Sequence, residues 1–196
     1  VIGASGRLVL ALVVAAAGAC RSAAPSAPVD IPVPVPQRPL SELARQLRAA
    51  DAPSRAAAAW SLAGAGEIGE ELTHSLVALL DDPSAPVREA ATWALSHVDS
   101  AGFDRRSLYD EAPRPIAMAK PRYPQRAYEK RIEGTVLTEI LISETGSVAH
   151  SEIRRSIPGL DEAALATVRE WRFTPAKRGG KPVACTAKAP VTFRIY

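Results

Sequence analysis

The side chains able to do chemistry are few: two cysteines, Cys20 and Cys185, and three histidines, His74, His97 and His150, in a chain of 196 residues. Cys185, His150 and Asp161 are the residue types of a nucleophile, a base and an orienting acid. Each lies in a segment whose apolar pattern already accounts for it, and no glycine-rich oxyanion or phosphate loop accompanies them. His74 and His97 fall inside helical patterns and read as surface or packing residues. There is no HExxH pair and no Cys/His cluster with zinc-ligand spacing, so no catalytic residue, metal or cofactor is expected. Cys185, among Val183, Ala187 and Ala189, reads as a small buried strand residue without a disulfide.

Cys20 offers a different chemistry. It ends an unbroken apolar run from Leu8 to Ala19, 12 residues that follow Arg7. Crossing a bilayer takes roughly 20 apolar residues, whereas about 7 to 15 after a positive charge make the core of an export signal. Residues 1–20 are therefore expected to be a signal peptide or a short anchor. Ala17-Gly18-Ala19 before Cys20 satisfies the small-residue rule of cleavage and resembles a bacterial lipobox, in which the cysteine thiol is acylated. Ordinary cleavage at the same bond, or retention of residues 1–19 as an anchor, are the alternatives.

The net charge of +3 is too small to mark a nucleic-acid binder, but it is unevenly shared. Residues 1–100 carry 7 basic and 10 acidic side chains; residues 101–196 carry 17 and 11. Residues 21–39 hold six prolines and almost no charge, which predicts an extended spacer of about 3.1 Å per residue. Residues 40–99 repeat with a period of 33: Ala52-Pro53-Ser54-Arg55 aligns with Ala85-Pro86-Val87-Arg88, Trp60 with Trp93, Leu62 with Leu95, and Leu43 and Leu47 with Leu76 and Leu80. Each unit predicts two helices, the second opening at a proline suited to a first turn and packing through alanines. The pattern resembles HEAT repeats. Two units alone bury little, so the array needs caps from its flanks or from a partner. Residues 100–117, with Pro113 and Pro115, read as a second linker.

Residues 118–196 predict an α+β domain. Tyr123-Pro124 precedes a short helix over 125–131. Thr135–Ser143 carries Val136, Ile140 and Ile142 on one face and Leu137 and Leu141 on the other, as a strand. Glu144-Thr145-Gly146-Ser147 turns it into a hairpin with Val148–Ile157. Asp161 is expected to cap a helix running to about Trp171, with Ala164, Val168 and Trp171 as its apolar stripe. Val183–Tyr196 alternates as a third strand. The fold class is thus an α+β C-terminal domain, in the order helix, β-hairpin, helix, strand, with a three-stranded antiparallel sheet, preceded by an all-α two-repeat HEAT-like module.

Pro121-Arg122-Tyr123-Pro124, Arg131-Ile132-Glu133-Gly134-Thr135-Val136, Gly146-Ser147-Val148, Leu160-Asp161 and Trp171-Arg172-Phe173 with Pro175 resemble the TonB C-terminal domain. The resemblance implies an energy-coupled transport role in which an extended segment of an outer-membrane receptor adds beside the last strand. The implied partner-binding residues are Lys120, Arg122, Tyr123, Pro124, Val191, Thr192, Phe193, Arg194 and Ile195. Pro190 suits an edge strand. Localisation is expected to be periplasmic and membrane-tethered, through lipidated Cys20 or the N-terminal segment. An inner-membrane proton-channel complex is a partner only if that segment is retained as an anchor. The alternative function is an outer-membrane lipoprotein adaptor acting through its HEAT-like repeats, without energy transduction.

Overall fold

The computed structural model describes residues 29–30, 39–100 and 102–195. Cys20, the apolar run before it and most of the proline-rich segment lie outside the described residues. The elements run β1 (Val29–Asp30), α1 (Leu40–Gln46), α2 (Ala52–Leu62), β2 (Glu67–Ile68), α3 (Glu70–Ala78), α4 (Ala85–His97), β3 (Asp99–Ser100), β4 (Arg114–Ala117), α5 (Gln125–Glu129), β5 (Gly134–Ile142), β6 (Val148–Ser156), α6 (Asp161–Arg169), β7 (Arg172–Thr174), β8 (Ala176–Arg178), β9 (Lys181–Val183) and β10 (Cys185–Phe193).

The 33-residue period is two helical pairs, α1–α2 and α3–α4. Pro53 and Pro86 sit in the first turns of α2 and α4, where a missing N–H breaks no helical bond, and Asp51 accepts the Ser54 N–H at 2.8 Å to start α2. Ala58, Ala59, Ala90, Ala91 and Ala94 are fully buried, which lets α2 and α4 approach closely around Leu43, Leu62, Leu76 and Leu95. Short parallel pairing of β2 with β3 ties corresponding ends of the two repeats.

The C-terminal unit is built on an antiparallel sheet of order β1-β6-β5-β10. The sheet has four strands where the sequence predicts three: Val29–Asp30, inside the expected spacer, pairs with Arg155 and Ser156 at the β6 edge. Such a segment has no internal backbone bonds of its own, so its N–H and C=O groups can satisfy an edge. Residues 100–117, read as a linker, contain a 3-10 turn over Arg105–Leu108 and the strand β4, which pairs with β7; Leu108 is buried against the repeats.

Asp161 differs from expectation as well. It is the first residue of α6, and its carboxylate reaches back to the Ile157 N–H at 2.8 Å and the Ser156 hydroxyl at 2.5 Å, closing the turn before the helix. The helix ends at Arg169, yet Ala164, Val168 and Trp171 form the buried stripe the spacing predicts. Gly146, at φ 81°, has no room for a side chain: an added Cβ would stand 1.9 Å from the Phe173 carbonyl oxygen.

The sheet is covered on both faces. Val136, Ile140, Ile142, Val191 and Phe193 meet α6 on one side. On the other, Leu141 and Ala184 meet Trp93 and Ala63, with Trp60 beside them. The helical repeats therefore sit on the sheet. Arg88 Nε and Nη2 donate to the two oxygens of Glu144 in the hairpin turn at 2.6 and 2.7 Å, and Thr186 of β10 donates to Ser96 of α4 at 3.1 Å.

Candidate functional site

The outer side of β10 has no pairing strand among the described residues, and the opposite border, β6, is paired only at Arg155 and Ser156, by Val29–Asp30. β10 is held along its inner side by continuous pairing with β5 from Cys185↔Ile142 to Phe193↔Gly134. Thr138 Oγ1 donates to the Ala189 carbonyl at 2.7 Å, which fixes that carbonyl inward. Successive residues alternate, so Pro190 turns its donor-less nitrogen outward, where no ladder bond is lost.

The residues named from sequence divide along this edge. Val191 and Phe193 are buried in the core and, like Ala189, turn their backbone polar groups toward β5, so neither offers a partner side chain or ladder groups, whereas Thr192 faces outward, is exposed and hydrogen-bonds Thr135 across the strands at 2.9 Å. The strand spans Cys185–Phe193 where the sequence predicts Val183–Tyr196, and beyond it the Glu133 carboxylate accepts the Ile195 N–H. Arg194 is exposed beyond the strand. Glu133, Gly134, Thr135, Thr192 and Arg194 line a shallow depression there.

The Tyr-Pro segment reaches the same end of the sheet. The Tyr123 ring lies edge-on to Phe193, with centroids 5.5 Å apart, and to Tyr128 at 5.7 Å, while its hydroxyl donates to the Ile132 carbonyl at 2.6 Å. Burial and the neighbouring Glu133 raise the phenol's pKa, which keeps that proton in place. Pro124 caps α5. Lys120 and Arg122 are exposed, and the segment before them is anchored by Trp171 Nε1, which donates to the Ala119 carbonyl at 3.0 Å. Sequence reading missed Glu133 as the partner of the backbone beyond the edge; its signal was the acid before Gly134.

The imagined triad is not assembled. Cys185 is buried in the cluster under α6, and burial pushes its thiol up to about 11, far from a thiolate nucleophile. His150 lies on the opposite face against Trp60 and Trp93, with centroids at 4.8 and 4.7 Å, and Asp161 is engaged by Ser156 and Ile157. His74 is exposed. His97, Glu139 and Glu152 bring ligand-type atoms within 4.8 Å of one another, but the Arg154 guanidinium donates to Glu152 at 2.9 Å and forms an ion pair with Glu139 at 3.1 Å, so the protein supplies the cation there. No helix among the described residues is long and apolar enough to cross a membrane.

The architecture defines a two-part protein: a helical-repeat pair seated on a small α+β unit whose last strand is an open edge. Residues 119–195 match the family model for the Gram-negative bacterial TonB protein C-terminal, and residues 52–98 match the model for a HEAT-like repeat. The chain thus carries a TonB C-terminal domain with HEAT-like repeats before it. It is similar to protein TonB of Vibrio cholerae serotype O1, 33% identical over 90 residues, covering 45% of this chain and 37% of that one. Protein tonB2 of Pseudomonas aeruginosa is 35% identical over 77 residues, covering 38% and 28%. The solution structure of the Pseudomonas aeruginosa TonB CTD aligns at 31% identity over 45% of this chain and 91% of that one, with a TM-score of 0.37. The chain spans little more than a third of the length of these curated relatives, and less in the second case.

Proposed function

We propose that this protein binds an extended segment of an outer-membrane receptor by strand addition along β10, in energy-coupled transport across a Gram-negative envelope. The observation that carries the reading is the outer side of β10, open along the whole strand, in a sheet whose opposite border is interrupted by Val29–Asp30 at Arg155 and Ser156. A visiting strand gains main-chain hydrogen bonds worth about 1 kcal/mol each, net of those it gives up to water. Pro190 leaves a gap in the donor row that fixes where the partner needs no acceptor. Lys120, Arg122, Tyr123 and Pro124 flank the end of the strand, and the two cations favour an acidic partner with a salt-sensitive approach rate. The tether is the N-terminal segment, by a lipid on Cys20 or by a retained anchor, and only the anchored form would couple to an inner-membrane proton channel.

The adaptor reading, in which the repeats are the working surface, is narrowed by the dock: part of the α2 and α4 surface is occupied by the protein's own sheet. Amide exchange of the full chain in detergent, with and without a synthetic peptide copying the periplasmic N-terminal stretch of an outer-membrane receptor, tests the proposal. Slower exchange on the outward amides of Thr186, Lys188 and Thr192 is expected, and Thr192→Pro, which removes one of these donors, should weaken the peptide's protection of the other two about fivefold. Protection appearing on α1 and α3 instead would sink strand addition and support the adaptor.

A further inference from the structure

The dock between the repeats and the sheet contains a titratable group that peptide binding does not use. The His97 side chain, in the last turn of α4, is only 2% exposed. Its Nδ1 lies 2.7 Å from the Trp93 carbonyl oxygen, which can only accept, so Nδ1 carries a proton. The tautomer is thereby fixed, and in a neutral ring Nε2 would present a bare lone pair. That nitrogen faces Glu139 Oε2 at 3.3 Å and Glu152 Oε1 at 3.8 Å, and no hydrogen bond satisfies it. A lone pair aimed at two carboxylates in a buried place is repulsive; a second proton on the ring makes the same geometry attractive.

We propose that His97 is a protonated latch holding the helical repeats on the sheet, its imidazolium bridging Glu139 of β5 and Glu152 of β6, so that the dock loosens as the pH rises. Every packed element contributes to the charge around it. β6 supplies Arg154, ion-paired with both acids, and His150, set edge-on to Trp93 and tilted against Trp60. β10 supplies Lys188, the cross-strand partner of Glu139, and α2 supplies only the uncharged Trp60. With His97 neutral, Arg154 and the exposed Lys188 are left to balance two partly buried carboxylates.

The direction of titration agrees. Burial alone would push the His97 pKa down; the adjoining Glu139, the Trp93 carbonyl and the charge of Glu152 outweigh it and leave it raised. A raised folded-state pKa gives stability that is complete below the ordinary histidine value of about 6.5 and is lost as pH climbs through the folded value. His150 acts oppositely: burial lowers its pKa, so its protonation on the acid side works against the dock. The dock is therefore tightest around the ordinary histidine value, with His97 setting the alkaline limb and His150 opposing on the acid limb.

The test is amide exchange of the full chain in detergent from about pH 5.5 to about pH 9, corrected for intrinsic rates, with a ¹³C titration of the His97 ring in the wild-type chain. His97 is expected to titrate above its ordinary value, and amides of α4 and β6 to lose protection through the same midpoint. His97→Gln, which cannot titrate, should remove the alkaline limb, while His150→Gln should keep it. Titration of His97 below about 6.5, or an alkaline limb that survives in His97→Gln, overturns the proposal. So does protection that persists at high pH and is lost on adding EDTA, because a cation on the neutral imidazole would then be supplying the charge. The ring titration needs no variant and decides the matter even if His97→Gln fails to fold.

Discussion

Arg55 and Arg88 stand 33 residues apart, at the same place in successive repeats, and they meet different partners. Both send Nη1 to the carbonyl six residues earlier, Ala49 at 2.9 Å and Asp82 at 2.5 Å. Arg55 then forks onto the carboxylate of Asp82 in the next repeat, whereas Arg88 forks onto Glu144 in the hairpin turn of the sheet. The hairpin thus stands where a third repeat would offer its acid. A two-unit solenoid is marginal because its last unit has an uncovered face, and here the TonB domain covers it. The first pair is the more enclosed, with side chains 14% and 6% exposed against 23% and 25% for the second.

The comparison is broken most severely at Trp93, which is 3% exposed and touches Trp60, His97 and His150. Trp93→Ala is expected to cost about 3–5 kcal/mol and to split one urea transition into two, as sheet and repeats unfold separately. A single transition with unchanged midpoint would mean the dock contributes nothing. A smaller effect sharpens the contrast. Arg88→Ala should cost about 1–2 kcal/mol, discounted because both partners are about a quarter exposed, and should raise exchange in the hairpin turn. Arg55→Ala should raise exchange between the repeats and leave the turn alone. A double-mutant cycle of Arg88→Ala with Glu144→Ala checks that the coupling belongs to this pair. Least of all, Arg178→Ala removes an exposed bridge to Asp81 across the same boundary, at 2.8 Å with Asp81 83% exposed; a change under about 0.5 kcal/mol is expected by thermal melting.

Much of the fold was legible because its local signals agree. The 33-residue register, the first-turn prolines and the alanine rows give the helices, and the alternation around Val136–Ile142 and Val191–Phe193 gives the strands. The free edge was readable from Pro190. The dock was not, although two signals pointed to it: Leu141 put apolar surface on the second face of β5, and two repeats needed a cap. Each is satisfied by any cover, and only the three-dimensional meeting of Trp93 with Leu141 and Ala184 identifies it. β4 was hidden because Pro113 and Pro115 read as breakers, yet a strand paired on one side alone tolerates proline. The reach of Asp161 backward was missed because the same residue type caps in either direction.

The pairing of Val29–Asp30 with β6 has a consequence for self-association. Endless stacking of like molecules needs two vacant borders, one to give and one to receive. Val29–Asp30 interrupts the β6 border at Arg155 and Ser156 while β10 is open along its length, so like molecules meet most readily tail to tail through β10, and a receptor then competes with one twin for a single strand.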